Sequence, residues 1–339
     1  MAEREGYRGL RMWWVWLVGG LVGCGLAQGG VVTPDVVDGA VTPDASIRED
    51  AQPRDASQDQ LPPDASVMSC DPNKPFDPTI GVVEINTASQ NESLRTFGNG
   101  LGAMFSSNRV GFGGFDLFIT SRGTTSSPYL AAANAGSFLN TAYDETAPTL
   151  TDDGLSLYFD RKVGTFQIYQ AKRVSTSDTF GFGALVPFIG GGGATNDFGP
   201  FVSRDGARIY FTSDRKPNVG DFDIYRADVG ASGYFQMPVR LTELSLKGSA
   251  SAVPVLTADE LTMYFASTRP DPQAKGSYDV WRATRATKND PFGALVVVPE
   301  LSTGAIDFPS SISNDGCTIL LTSDRAGGQL EIYSATRPK

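Results

Sequence analysis

Phe201-Val-Ser-Arg-Asp-Gly-Ala-Arg-Ile-Tyr-Phe-Thr-Ser-Asp-Arg215 is the stretch of sequence that indicates the fold most directly, because the chain repeats it. A close copy runs Ile312-Ser-Asn-Asp-Gly-Cys-Thr-Ile-Leu-Leu-Thr-Ser-Asp-Arg325. Each copy is followed by a shorter shared motif, Asp223-Ile-Tyr-Arg-Ala227 in the first and Glu331-Ile-Tyr-Ser-Ala335 in the second. Self-similarity of this kind is typical of repeat architectures. We therefore expect one structural unit to recur along the chain.

Looser copies of the unit end near residues 109, 161 and 269, which makes five units in all. The arginines that mark them are spaced by 52, 54, 54 and 56 residues: Arg109, Arg161, Arg215, Arg269 and Arg325. A residue that recurs in every unit is interpreted as structural, since an active site normally breaks repeat symmetry. The predicted partners are the acid or amide residues that open the third strand of each unit: Asp116, Gln167, Asp223, Asp279 and Glu331.

Each unit reads as four short strands. The Asp-Gly pair predicts a tight hairpin turn, because glycine adopts positive φ without steric cost. The runs around it are rich in aromatic and β-branched residues, which favour strands. Four-stranded sheets that repeat at about this period are typical of a β-propeller. The sequence therefore predicts an all-β fold, a single β-propeller of five four-stranded blades, with six blades as the alternative.

The pattern Ser-x-Asp-Gly-x-x-Ile-Tyr-Phe-x-Ser-Asp-Arg, followed by Asp-Ile-Tyr, resembles the TolB-type propeller repeat, a WD-repeat-like family of bacterial envelope proteins. The resemblance covers about 265 residues of the chain. It implies the fold and leaves the function open, because one fold carries many activities. The chain departs from TolB itself, which has an N-terminal α/β domain and six blades, so the partner of TolB is not carried over.

The order of strands suggests how the ring closes. The last unit supplies three strands, and residues 80–85 ahead of the first unit form a surplus fourth strand. We expect these two ends to pair. Cys70 and Cys317 would then lie at the same edge, and two cysteines in an exported domain are typical of a disulfide.

The N-terminus predicts export and lipid attachment. Residues 1–23 combine three arginines with an apolar run that is too short to span a bilayer, as in a signal peptide. The run ends in Leu21-Val-Gly-Cys24, which resembles a bacterial lipobox. The resemblance implies cleavage before Cys24 and acylation of that residue. The alternative is an ordinary secretory peptide cut after Ala27.

Residues 24–70 predict a disordered tether, and residues 71–339 the propeller domain. Between Gln28 and Ser69 the chain is rich in proline and carries eight acidic residues against two arginines, a composition too polar to form a core. The whole chain has a net charge of −10, which argues against nucleic acid as a partner. It contains no histidine, which excludes an imidazole base and a histidine metal ligand.

Four carboxylates at the start of the first strand of their units are candidates for ligand binding: Glu92, Glu145, Asp197 and Asp307, with Ser251 in the fourth unit. The innermost strands of a propeller meet at its central funnel, so these acids could bind an ion, a cationic peptide or a sugar there. Five-bladed glycosidases place three carboxylates in such a funnel. The alternative is a consensus role, in which each acid bonds the loop of a neighbouring blade.

These observations together predict a lipoprotein of the bacterial cell envelope whose propeller binds or scaffolds a protein or cell-wall component. The predicted location is the outer membrane, through the lipid on Cys24, with the propeller in the periplasm or on the cell surface. No enzyme activity, cofactor, metal or nucleic-acid partner is expected. The alternatives are a carbohydrate-binding or glycoside-processing propeller that uses the funnel carboxylates, and a purely structural role.

Overall fold

The computed structural model describes residues 70–189 and 194–339. The predicted signal peptide, Cys24 and the tether up to residue 69 lie outside the described residues. None of the helical structure in the described part is long and apolar enough to cross a membrane.

The described residues form short strands and a single turn of 3-10 helix, Thr242–Leu244. The strands, in chain order, are β1 (Ile80–Gly81), β2 (Asn91–Phe97), β3 (Gly102–Ser107), β4 (Asp116–Ser121), β5 (Ala133–Asn134), β6 (Glu145–Leu150), β7 (Ser156–Val163), β8 (Thr165–Lys172), β9 (Ala184–Leu185), β10 (Asp197–Val202), β11 (Arg208–Ser213), β12 (Asp223–Asp228), β13 (Val239–Arg240), β14 (Ser251–Leu256), β15 (Thr262–Ser267), β16 (Asp279–Thr284), β17 (Gly293–Val297), β18 (Asp307–Ile312), β19 (Thr318–Ser323) and β20 (Glu331–Thr336).

The strands build five antiparallel four-stranded sheets, which are the blades of a propeller. Blades 1 to 4 take their strands in sequence order, from β2 to β17, and blade 5 has the order β18-β19-β20-β1. We name the strands of each blade a to d in this order. The a strands contact one another in a closed ring, β2 to β6 to β10 to β14 to β18 and back to β2. The five-bladed prediction is confirmed, and the six-bladed alternative is wrong.

The ring closes where the sequence predicted. Strand β1 pairs antiparallel with β20, Ile80 lying opposite Ser334. The closing strand is shorter than the predicted residues 80–85, because the chain turns after Gly81. The carbonyl of Val82 accepts the amides of Ile85 and Asn86, each at 3.0 Å, and the turn carries Ile85 into the core.

The two cysteines meet at this closure. Cys70 and Cys317 form a disulfide in the structure, with their Cα atoms 5.7 Å apart. Cys70 precedes the closing strand, and Cys317 directly precedes strand b of blade 5. The bond therefore links the N-terminal end of the domain to its last blade.

The hydrophobic core is divided among the contacts between neighbouring blades. Tyr158 and Ile168 of blade 2, for example, share one cluster with Ile209 and Phe211 of blade 3. Five such clusters are found in the described part of the chain, one at each contact around the ring. Because each blade has a neighbour on both sides, both faces of its sheet are buried. This explains why the b strands are nearly continuous runs of buried residues rather than alternating ones.

Candidate functional site

The repeated arginines fasten the blades internally. The guanidinium of Arg215 lies 5.0 Å from the ring centre of Phe211 and 5.2 Å from that of Tyr225, both in its own blade. Its Nε donates to Ser213 at 3.0 Å. Its Nη2 donates to Asp197, the first residue of strand a, at 2.6 Å. The same contact is made by Nη2 in the pairs Arg109–Asn91, Arg269–Ser251 and Arg325–Asp307. In blade 2 the Nε of Arg161, which lies directly opposite Glu145, donates to that acid at 2.7 Å.

The predicted partner of these arginines is therefore wrong. In blades 1, 3 and 4 the aspartate that opens strand c instead accepts amide groups of the turn before it. Asp279 accepts the amides of Lys275 and Gly276, and Asp223 accepts the amide of Val219. The arginine instead reaches across strand b to strand a, where its charge meets a buried carboxylate in three blades.

Three of the four candidate funnel acids are held by these pairs. Glu145, Asp197 and Asp307 are all fully buried. Each also binds a nearby threonine, as Asp307 does by accepting the hydroxyl of Thr303 at 2.8 Å. Burial raises the pKa of Glu145, although bonds from Thr141 and Arg161 oppose the change. Each acid serves its own blade, and no group of three or more possible metal-ligating residues is present in the described ranges.

Glu92 occupies a different position from the other three acids. Asn91 pairs with Ser107 as Asp197 pairs with Ser213, so Asn91 is the true equivalent and Glu92 is the next residue along. Successive residues of a strand point to opposite faces, so Glu92 does not reach an arginine of the repeated kind. Burial, with a smaller contribution from the charge of Asp144, raises its pKa to about 7.

A second repeated device joins each blade to the next. The third residue of strand a has a positive φ in four blades and aims its amide at the fifth residue of strand b in the blade before it. The bonds are Ser93 to Thr322, Ala147 to Ser106, Gly199 to Asp160 and Val253 to Thr212, at 2.8 to 3.1 Å. At the remaining contact the donor position is Pro309, which has no amide hydrogen, and the acceptor position is Ala266, which has no side-chain acceptor. Donor and acceptor are therefore missing together.

The concave site lies at the other end of the a strands from the predicted funnel. It is a cavity open to solvent, and we call it the channel mouth. Its walls come from the ends of all five a strands and the turns that follow, within residues 95–100, 149–152, 201–204, 256–260 and 311–314.

Arg95 breaks the symmetry of this mouth. It pairs with Met104 in the register position that other blades fill with Thr149, Phe201, Val255 and Ser311, none of which carries a charge. Arg95 is only 5% exposed, and within residues 70–189 and 194–339 its Nε and Nη1 atoms have no hydrogen-bond partner. The guanidinium lies 5.6 Å from the ring centre of Phe201. Burial lowers its pKa to about 10, although the charge of Asp160 opposes this.

Glu260 is a second break in symmetry at the same mouth. It occupies the turn position of Gly154, Gly206 and Gly316, and it shares their positive φ, 56°. Only glycine adopts this conformation without cost. Its buried carboxylate accepts the hydroxyl of Tyr210 at 2.9 Å and pairs with Arg208 at 3.2 Å. The ion pair joins blade 4 to blade 3, which offsets the cost of the turn.

No protein-family model matches the chain, and no curated protein is similar in sequence. Similar solved structures include TolB, as the repeat resemblance predicted. TolB from Acinetobacter baumannii is 19% identical with a TM-score of 0.47, the match covering 75% of this chain and 56% of that one. TolB from Agrobacterium tumefaciens is 17% identical with a TM-score of 0.45, covering 74% and 78%.

A thermostable family-43 glycoside hydrolase is also similar, at 14% identity and a TM-score of 0.50, covering 74% of this chain and 90% of that one. Its likeness concerns the propeller fold alone. The match to the Acinetobacter TolB spans little more than half of the length of that protein.

Arg95 was not among the residues predicted from the sequence, because the predicted ligand-binding residues were carboxylates at the start of strand a. The signal was present in the aligned units, where Arg95 is the one charged residue at a position otherwise filled by threonine, phenylalanine, valine and serine. Glu260 had a similar signal, since Asp259-Glu260 stands where other units have Asp-Gly.

Proposed function

We propose that the protein is an envelope-anchored lipoprotein whose propeller binds a protein or cell-wall component at the channel mouth. The observation that carries the proposal is Arg95, a buried cation that lines an open cavity and lacks partners for two of its donors among the described residues. Such a cavity suits capture of a ligand. Hydrolysis at the centre of a propeller would instead need converging carboxylates, and Glu145, Asp197 and Asp307 are each bonded to an arginine.

The location rests on the N-terminal sequence. A basic start, a short apolar run and Leu21-Val-Gly-Cys24 support export and acylation of Cys24. Several acyl chains on one residue give stable membrane attachment. Gly25 follows the cysteine, and the lack of an aspartate there favours the outer membrane.

A pull-down from detergent-solubilised envelopes tests the binding function. The full chain should enrich an envelope protein or cell-wall fragment that a tether-only control, residues 24–70, does not retain. Recovery of nothing above that control would contradict the proposal. The anchor is tested separately with Cys24→Ala, which should abolish incorporation of labelled palmitate and release the protein from the membrane fraction.

The carbohydrate alternative makes a different prediction, because it assigns the ligand to the acids at the start of strand a. Glu145→Gln and Asp197→Asn should then weaken binding on a glycan array. Our proposal expects the two substitutions to lower stability, by about 3–5 kcal/mol for a broken buried ion pair. It expects no change in ligand preference of the protein that remains folded.

A further inference from the structure

We infer that the channel mouth binds the terminal carboxylate of a peptide, with Arg95 as the residue that holds it. The inference rests on the proposed binding function and specifies its ligand. Arg95 lines the mouth, and its guanidinium has two donors, Nε and Nη1, without a partner in the described part of the protein. A guanidinium cation donates strong, charge-assisted hydrogen bonds to a carboxylate.

Arg95 is buried, although two of its hydrogen-bond donors have no partner in the described residues. Buried polar groups in folded proteins are almost always hydrogen-bonded, and an unpaired one is costly. Arg95 is 5% exposed, yet two of its three nitrogen atoms bond nothing in the described part of the protein. The ring centre of Phe201 lies 5.6 Å from the guanidinium, and Arg95 lines the cavity. A ligand that enters the cavity and draws this side chain toward it would complete its hydrogen bonds.

Asp160 is the acid whose charge raises the pKa of Arg95. The carboxylate of Asp160 already accepts the amide of Gly199, at 3.0 and 3.1 Å, and the hydroxyl of Thr146, at 3.4 Å. Burial raises the pKa of Asp160 well above its ordinary value, which favours its neutral form. Asp160 makes no hydrogen bond to Arg95, so the positive charge that lines the mouth is left for a ligand.

The charge of the mouth favours a carboxylate over a phosphate. The mouth contains a single uncompensated cation, because its other arginine, Arg204, pairs with Asp152 at 2.6 Å. One uncompensated positive charge balances a singly charged carboxylate and leaves a doubly charged phosphate with excess negative charge. Thr96 and Ser311, whose hydroxyl oxygens lie 3.2 Å apart, offer neutral polar contacts of the kind that a peptide backbone uses.

Two envelope components carry this chemistry, the C-terminus of a protein and the end of a cell-wall stem peptide. They share the terminal carboxylate and differ in the configuration of the last residues. A tripeptide that ends in L-Ala-L-Ala and one that ends in D-Ala-D-Ala represent the two sources.

The test uses the full chain in detergent with ¹⁵N-labelled arginine. The Nε–H signal of Arg95 is identified by its loss in Arg95→Lys, and each tripeptide is titrated as the free acid and as the C-terminal amide. We expect at least one acid to shift this signal saturably and to bind at least tenfold more tightly than its amide or inorganic phosphate. Equal effects of acid and amide, tighter binding of phosphate, or no shift would overturn the inference.

Two variants separate the site from general charge. Arg95→Met should weaken binding of the preferred acid at least tenfold, and Lys247→Gln, which removes an exposed positive charge outside the mouth, should change it less than threefold. The titration of the unmodified chain decides the matter if Arg95→Met fails to fold. A pull-down that succeeds equally with Arg95→Met would overturn the carboxylate site and leave the binding function standing, whereas an empty pull-down contradicts the binding function alone.

Discussion

At the scale of single residues, the arginines show how much a buried charge depends on its partner. Arg161, Arg215 and Arg325 each hold a carboxylate of strand a. Arg269 faces Ser251 instead, and burial lowers its pKa to about 10. Arg95 has no such partner at all among the described residues, and its pKa is lowered in the same way. The repeated arginines are therefore structural, and Arg95 stands apart from them.

Glu92 provides a pH test at this scale. Its pKa in the folded protein, about 7, lies above its ordinary value of 4.5, so folding favours its neutral form. Its contribution to stability is full below pH 4.5 and is lost as the pH rises through 7. Glu92→Gln should therefore match the unmodified chain at pH 4 and exceed it by on the order of 2 kcal/mol at pH 8.5.

Urea unfolding between pH 4 and 9 measures this difference in free energy. Asp290→Asn, which removes an exposed carboxylate, should leave the profile of the unmodified chain unchanged. A constant difference at every pH would show that Glu92 does not titrate as described.

The sequence-based predictions that failed also concern single residues. Glu92 was aligned one residue out of register, and in a strand such a shift turns a side chain to the opposite face. The arginine partners were misassigned because their contact crosses strand b, and sequence proximity favoured the nearer strand c. No spacing rule shows that Arg95 would lack a partner, since this depends on which side chains reach the channel.

At the scale of elements, the bond between each b strand and the next a strand fixes neighbouring blades. Thr212→Val keeps the shape of the side chain and removes the acceptor for the amide of Val253, 2.9 Å away. A buried amide without a partner should lower the free energy of unfolding by about 1–3 kcal/mol.

The matched control is Thr318→Val, on a strand b of another blade, whose half-buried hydroxyl makes no hydrogen bond in the described protein. It should change stability by less than about 0.5 kcal/mol. Equal effects of the two substitutions in urea unfolding would mean that the interblade bond contributes nothing.

The closure of the ring gives a second prediction for elements. Cys70 and Cys317 are 247 residues apart, so their bond restricts a very long loop of the unfolded chain. Reduction should cost about 2–5 kcal/mol and lower Tm by roughly 5–15 °C. Thermal unfolding with and without reductant measures this, and mass analysis of the exported protein should find no free thiol in the domain. Two free thiols, or an unchanged Tm, would contradict it.

Strands a to c of each blade were predictable, because the repeat, the Asp-Gly turns and the aromatic runs all lie within them. The d strands were less so. Only two residues pair in each of β5, β9 and β13, whereas the a, b and c strands have six to eight residues each. The d strands lie at the outer edge, where one side has no neighbour and fewer hydrogen bonds hold the chain straight.

At the scale of the whole molecule, five similar blades make a rigid ring, and departures from their symmetry mark its individual function. Arg95 and Glu260 are two such departures, and both line the channel mouth. Fold and closure followed from the repeat, because each unit builds one sheet and the leftover strand has a single place to pair. The site did not follow, because it is formed by the ends of five strands that are far apart in sequence.

Photocrosslinking in intact cells tests the claim that the propeller binds its partner at this mouth. A photoreactive residue replaces Asn314, which is exposed and lines the mouth, or Val110, which is fully exposed on a b–c turn at the opposite end of its blade. We predict a discrete crosslinked product from position 314 that disappears when Arg95→Met is added, and none from position 110. A product from position 110 alone, or one from position 314 that persists without Arg95, would contradict the account.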